Sequence, residues 1–84
     1  MPNNAIAFDL SIEVDGNCPE PVLKSAHALR RMEPGAVLRV SCLDPVSVKD
    51  LAAFSKQTGN ALLGQCEERS GDSVRYVHFL KKRG

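Results

Sequence analysis

Neither sign of charge dominates this chain: eleven lysines and arginines stand against ten aspartates and glutamates, a formal net charge of +1. So even a balance produces no strong field to steer the protein to nucleic acid or an anionic membrane, and partner choice falls to local patches. Long apolar runs are missing as well. The opening stretch Met1-Pro2-Asn3-Asn4-Ala5-Ile6-Ala7-Phe8-Asp9 has no basic flank leading into a hydrophobic segment. It therefore reads as neither a signal peptide nor a membrane span, and the expected location is the cytoplasm. No Cys-x-x-Cys pair occurs, and the three cysteines stand far apart with only two histidines to join them, so neither zinc nor any other metal or cofactor is called for. An odd number of cysteines cannot all pair within the chain, and a reducing compartment keeps them as thiols. Internal repeats, low-complexity stretches and interdomain linkers are also lacking. The 84 residues are read as a single domain, 1–84, too small for a second lobe or a deep cleft, so its chemistry belongs near the surface.

What is present is a clear alternation of periods. Phe8, Leu10, Ile12 and Val14 interleave with Asp9, Ser11, Glu13 and Asp15, the pattern of a strand with one buried and one wet face. Gly16-Asn17 breaks the run. From Cys18-Pro19-Glu20-Pro21 onward, Val22, Ala26, Leu29 and Met32 recur at helical spacing, with Lys24, His27 and Arg31 on the opposite side. Pro34-Gly35 stops this helix and leads into a second strand, Ala36–Leu43, with Leu38, Val40 and Cys42 on one side. Asp44-Pro45 then supplies an N-cap and a first-turn proline for a second helix. Its expected inward stripe is Val48, Leu51, Ala52 and Ser55 with Phe54 at the edge, and Gly59 is its left-handed stop. Two strands, Ala61–Arg69 and Val74–Lys81, follow, joined through Ser70-Gly71-Asp72-Ser73. The order βαβαββ and the alternation in the first strand predict an α+β two-layer sandwich: two helices on one face of a mixed four-stranded sheet, the other face left open.

Cys18 stands where a strand has ended and a helix begins. That junction exposes helical N–H groups and a partial positive charge that favours a thiolate. A depression of the thiol pKa by about one unit, worth ~1.4 kcal/mol, would raise the thiolate share at neutral pH from a few per cent to roughly a quarter. Pro19 biases the residue before it away from helical torsions, which holds Cys18 outside the helix. Opposing this, Pro19 and Pro21 have no N–H to offer, and Glu20 brings a carboxylate near the sulfur.

Cys18-Pro19-Glu20-Pro21-Val22-Leu23-Lys24, Glu33-Pro34-Gly35, Asp44-Pro45-Val46-Ser47-Val48-Lys49-Asp50-Leu51 and Thr58-Gly59-Asn60-Ala61-Leu62-Leu63 resemble, in this order, the motifs of the TusA/SirA-like sulfur-carrier family over nearly the whole chain. The resemblance implies the same sandwich and makes Cys18 the persulfide-bearing residue of a Cys-Pro-x-Pro motif, positioned by Pro19, Glu20 and Pro21. It implies a cysteine desulfurase or rhodanese-type sulfur donor and a downstream sulfurtransferase acceptor, in tRNA thiolation, molybdenum-cofactor assembly or sulfur oxidation. The protein is then a relay carrier and not an enzyme in its own right. Asp15 stands where the family usually has glycine, Gly16 where it has an apolar residue, Val14 where an arginine is common, and Val46 where the second motif has glycine. These departures border the reactive end. Asp15, Gly16, Asn17, Asp44 and Val46 are accordingly the expected partner surface, since both helix starts lie at the same end of successive strand-helix units.

Sulfur exchange needs thiolate character and access and no built-in base. His27 falls on a polar helix face and His78 on the last strand, so no Cys–His nucleophile pair is expected. Cys42 and Cys66 read as packing residues on strands. The reading from a different class is a non-enzymatic RNA-binding or regulatory module. It would use the open sheet face and the basic helix residues Lys24, Arg30, Arg31, Lys49 and Lys56.

Overall fold

The structure, a computed structural model, describes residues 6–16 and 19–84. Its elements run β1 (Leu10–Val14), α1 (Glu20–Arg30), β2 (Val37–Cys42), α2 (Ser47–Thr58), β3 (Ala61–Ser70) and β4 (Ser73–Lys81). The strands form one four-stranded sheet in the order β1-β2-β4-β3. β1 lies parallel to β2, as the intervening helix requires, while β4 is antiparallel to both of its neighbours. The expected mixed-sheet sandwich is the observed one.

Period-two alternation on the central strands explains where the core sits. Leu38, Val40 and Cys42 of β2 point to the same face as Val14 and Leu80, and there they meet Ala28 and Leu29 of α1 and Leu51 and Phe54 of α2. Both helices therefore share this face. On α1 the most buried side chains are Pro21, Ser25, Ala28 and Leu29, with Val22, Ala26 and Met32 packed partly against the same core. The phase of α2 differs from the sequence reading: Phe54 is 7% exposed and in the core, whereas Val48, expected inward, is 36% exposed. Ser47 takes the inward place at the first turn because β4 offers it a polar partner. The helix also begins later than Asp44-Pro45. Asp44 Oδ1 accepts the Val46 N–H at 3.0 Å and the Asp44 carbonyl accepts that of Ser47, a turn that precedes the helix and absorbs the cap. At the other end Gly59 adopts φ 81° and donates to the Ser55 carbonyl, the expected left-handed stop.

The second face of the sheet is not left open. Ser11 and Glu13 make that face polar on β1, but Val77 and Phe79 of β4 also point there and are 0% and 1% exposed. Phe8 covers Phe79, with ring centroids 6.3 Å apart, and Arg39 lies over the Phe8 ring. Ile6 fills the space at Gly64, where an added Cβ would come within 2.9 Å of its terminal methyl. Arg39 also makes a forked contact with Glu68 at 3.0 and 3.1 Å. An RNA-binding platform on this face would have to displace the Phe8 cover and contend with arginines already engaged. Alternation in β1 spoke only for β1. The β3-β4 hairpin is tighter than expected, for Ser70 pairs with Ser73 and leaves only Gly71 and Asp72 in the loop. The C-terminal basic residues serve the helices: Lys82 Nζ donates to the Leu29 carbonyl and Arg83 Nη1 to that of Thr58, placing cations at two helix C-termini.

Candidate functional site

β1 and β2 run parallel toward one end of the sheet, so the residues that follow them, 15–16 and 43–46, emerge together there. Asn17 and Cys18 lie outside the described residues; their neighbours on both sides are defined. Asp15 Oδ1 pairs with Arg75 Nη2 at 3.0 Å. Arg75 is held in turn by β2, its Nε donating to Ser41 Oγ at 2.6 Å and its Nη2 to the Ser41 carbonyl at 3.2 Å. The segment leaving β1 is thus tied to the middle of the sheet by a side chain that is itself three-quarters buried. Gly16 follows, and Glu20 folds against it: an added Cβ at Gly16 would stand 2.9 Å from Glu20 Cγ. Any other residue there would have to push Glu20 aside.

Pro19 is the N-cap of α1, with φ −98° and ψ 16° and no side-chain cap bond. Its carbonyl accepts the Leu23 N–H at 3.0 Å as the first helical bond, while Pro21 in the first turn is buried. The helix therefore starts two positions beyond Cys18 in sequence, with an acidic residue in its first turn. Glu20 and Lys24 approach to 3.9 Å with both side chains about half exposed, a contact of little energetic weight.

Across the same end, Val46 caps α2 and is 48% exposed; Leu43 is 42% exposed. Val48, in the first turn of α2, is a third exposed apolar side chain. The expected partner residues Asp15, Gly16, Asp44 and Val46 are thus carried by two neighbouring strand-helix turns.

Two arrangements were not anticipated from sequence. One is the Asp15–Arg75–Ser41 tie. The other is a polar chain behind the α2 start that runs inward from the exposed Gln65, in which His78, fully buried on β4, has Ser47 Oγ 3.1 Å from Nε2 and Gln65 Nε2 3.0 Å from Nδ1. The Gln65 nitrogen also lies 2.9 Å from the Val48 carbonyl, which can only accept, so that end of the amide is the donor. It follows that Nδ1 accepts, Nε2 carries the proton, and the proton is donated to Ser47. The signal was in the sequence: His78 is two residues from Leu80, and side chains two apart share a face. His27, by contrast, is exposed as expected.

Burial pulls the His78 pKa down to about 4. Since the unfolded chain takes up this proton near the ordinary value of about 6.5, it gains protons before the folded form does, and stability falls as pH falls. About 2 kcal/mol is expected to be lost between pH 7 and pH 5, and ~3 kcal/mol by pH 4. Urea unfolding at several pH values measures this. His78→Gln should flatten the curve between pH 6.5 and 5, and an unchanged slope in that variant would remove His78 as its source.

The two described thiols are poorly suited to nucleophilic work. Burial raises the Cys42 pKa against the opposing effects of a Ser47 hydrogen bond and the Arg75 charge, with Asp44 adding to the rise. Cys66 is raised by burial and by Glu68, with Arg39 opposing. Among the described residues no group of three histidine, cysteine or acidic side chains could hold a metal ion, and no described helix is long and apolar enough to cross a membrane.

Comparison with known proteins bears on this end of the fold. The Sulfurtransferase TusA family profile matches residues 15–78. A sulfur carrier protein TusA from Allochromatium vinosum is 44% identical over 77 residues, covering 90% of this chain and 95% of that protein. One from Pseudomonas entomophila is 34% identical, covering 93% and 94% respectively. The crystal structure of a SirA-like protein from Desulfitobacterium hafniense superposes with a TM-score of 0.63 at 23% identity, covering 86% of this chain and 96% of that one, and shares the fold. The matched stretch opens on the Asp15 turn and takes in Cys18-Pro19-Glu20-Pro21, both strand-helix turns and the Arg75 tie, and by this match the chain belongs to the TusA family of sulfur carriers.

Proposed function

We propose that this protein is a sulfur carrier that takes sulfane sulfur as a persulfide on Cys18 and hands it to an acceptor sulfurtransferase. The observation that carries the reading is the family match, which spans the Cys18-Pro19-Glu20-Pro21 motif and both turns of the candidate site. The raised pKa values of Cys42 and Cys66 support it by leaving Cys18 as the thiol suited to the work.

In the loading step the Cys18 thiolate attacks the outer sulfur of a donor persulfide. A new S–S bond forms at Cys18 as the donor's S–S bond breaks, and the donor departs as a thiolate. Transfer onward is the same exchange with the acceptor's thiolate attacking the outer sulfur and Cys18 leaving as thiolate. No base is needed beyond what sets the thiolate fraction. Donors of this chemistry are cysteine desulfurases and rhodanese-type proteins, and the cytoplasm is where both thiol and donor stay reduced. In this reading Asp15, Gly16, Asn17, Asp44 and Val46 meet the partner, and Pro19, Glu20 and Pro21 position the sulfur.

The test is incubation of the reduced protein with a cysteine desulfurase and free cysteine. The intact mass should rise by one sulfur atom, reversibly with a mild reductant, and the peptide containing Cys18 should carry it. Failure with several desulfurases and rhodanese-type donors would end the proposal.

A further inference from the structure

Between β1 and α1 lies a groove of about 530 Å³, at the β1 edge of the helix-covered face and separate from the turns described above. β1 is the sheet's edge, pairing only with β2 among the described residues. The Asp9 N–H points inward, donating to the Val37 carbonyl at 2.8 Å. Backbone groups of alternate residues along a strand face opposite edges, so Ser11 and Glu13 also face β2 while Leu10, Ile12 and Val14 turn their N–H and C=O groups outward. The groove beside that edge has an apolar lining from Leu10, Ile12, Leu23 and Met32, with Leu10 41% and Leu23 57% exposed. Its rim is basic: Lys24, His27 and Arg31 come from successive turns of α1, and Glu13 is the one acidic residue lining it.

We infer that this groove receives an extended acidic segment of a protein partner, which adds to β1 as a fifth strand. An incoming strand would satisfy the outward backbone groups, set alternate apolar side chains against Leu10 and Leu23, and bring carboxylates to Lys24 and Arg31. A second copy of this chain fits less well. Pairing β1 with β1 would face the basic side of α1 with its own like. Direction matters too, because β1 runs toward Gly16 and the Cys18 motif. A segment docked along it approaches the sulfur-carrying end, so the inference names the docking contact of the donor or acceptor and rests on the carrier reading for that role.

The full chain is titrated with a fluorescein-labelled decapeptide alternating valine with glutamate and with its valine–lysine counterpart, while amide NMR spectra follow the backbone. The acidic peptide should bind at least about tenfold more tightly than the basic one. Shifts and slowed hydrogen exchange should fall on Leu10, Ile12 and Val14. The double variant Lys24→Glu, Arg31→Glu should lose most of this binding. If that variant fails to fold, Leu23→Asp, at an exposed position, should weaken binding instead. Binding by neither peptide, equal binding by both, or shifts confined to the β3-β4 loop would overturn the inference. So would self-association through β1 that shuts the peptide out. Loading of Cys18 from inorganic polysulfide needs no docked segment. No peptide binding by the unaltered chain with intact loading therefore sinks the groove alone, while its intact binding without loading upholds the groove and sinks the carrier reading alone.

Discussion

Cys18→Ser is expected to abolish sulfur loading outright, while Cys42→Ser and Cys66→Ser load as the unaltered protein does. A serine hydroxyl is not appreciably ionised near neutral pH and cannot form the S–S bond on which the exchange depends, so the loss should be complete and not graded. The two controls follow from where the other thiols sit. Cys42 is fully buried under both helices, and desolvation holds its proton on. Cys66 lies on the opposite sheet face, partly covered, beside a carboxylate that also disfavours its thiolate. Intact-mass and peptide mass spectrometry of the three variants after desulfurase treatment decides the matter. Sulfur retained by Cys18→Ser, or found on Cys66, would move the chemistry to another thiol.

The tie between Asp15 and Arg75 gives meaning to a departure visible in the sequence. Asp15, which the sequence reading sets against an expected glycine, is received by Arg75 on β4. The carboxylate is largely exposed, so the ion pair itself adds little stability. Its consequence is geometric, since it fixes the path of the chain immediately before Gly16. A glycine there would leave Arg75 anchored to Ser41 alone.

How much of this was legible in the sequence depended on whether a residue's neighbours were local. Strand and helix order came through because periods of two and 3.6 are written in the chain itself, and so did Gly59, whose φ of 81° few other residues would tolerate. The cysteine motif was legible as a motif. The closure of the second sheet face was not, because it depends on Phe8 meeting Phe79, 71 positions away. Nor was the polar chain Gln65–His78–Ser47, which joins three elements. That chain also explains the misread phase of α2: the wheel prefers apolar Val48 to Ser47 for the inward place at the first turn, and only β4 supplies the histidine that makes Ser47 welcome inside.

The corrected phase makes a sharp prediction. Phe54→Ala should destabilise the domain by about 3–5 kcal/mol, whereas Val48→Ala should lose less than about 1 kcal/mol. Phe54 is 7% exposed and packs in the cluster with Leu29, Leu51 and Leu80, so its truncation leaves a cavity between the helices that rigid neighbours cannot fill. Val48 is 36% exposed, and the contact it makes with Gln65 is through its backbone carbonyl, which alanine keeps. For a domain of this length the whole folding free energy is roughly 4–13 kcal/mol, so the first change removes a large share of it and the second almost none. Thermal unfolding resolves the two easily, since each kcal/mol shifts the midpoint by about 4–8 °C at this size. A Val48→Ala variant that melts as low as Phe54→Ala would restore the wheel drawn from sequence and require α2 to be turned so that Val48 faces the sheet.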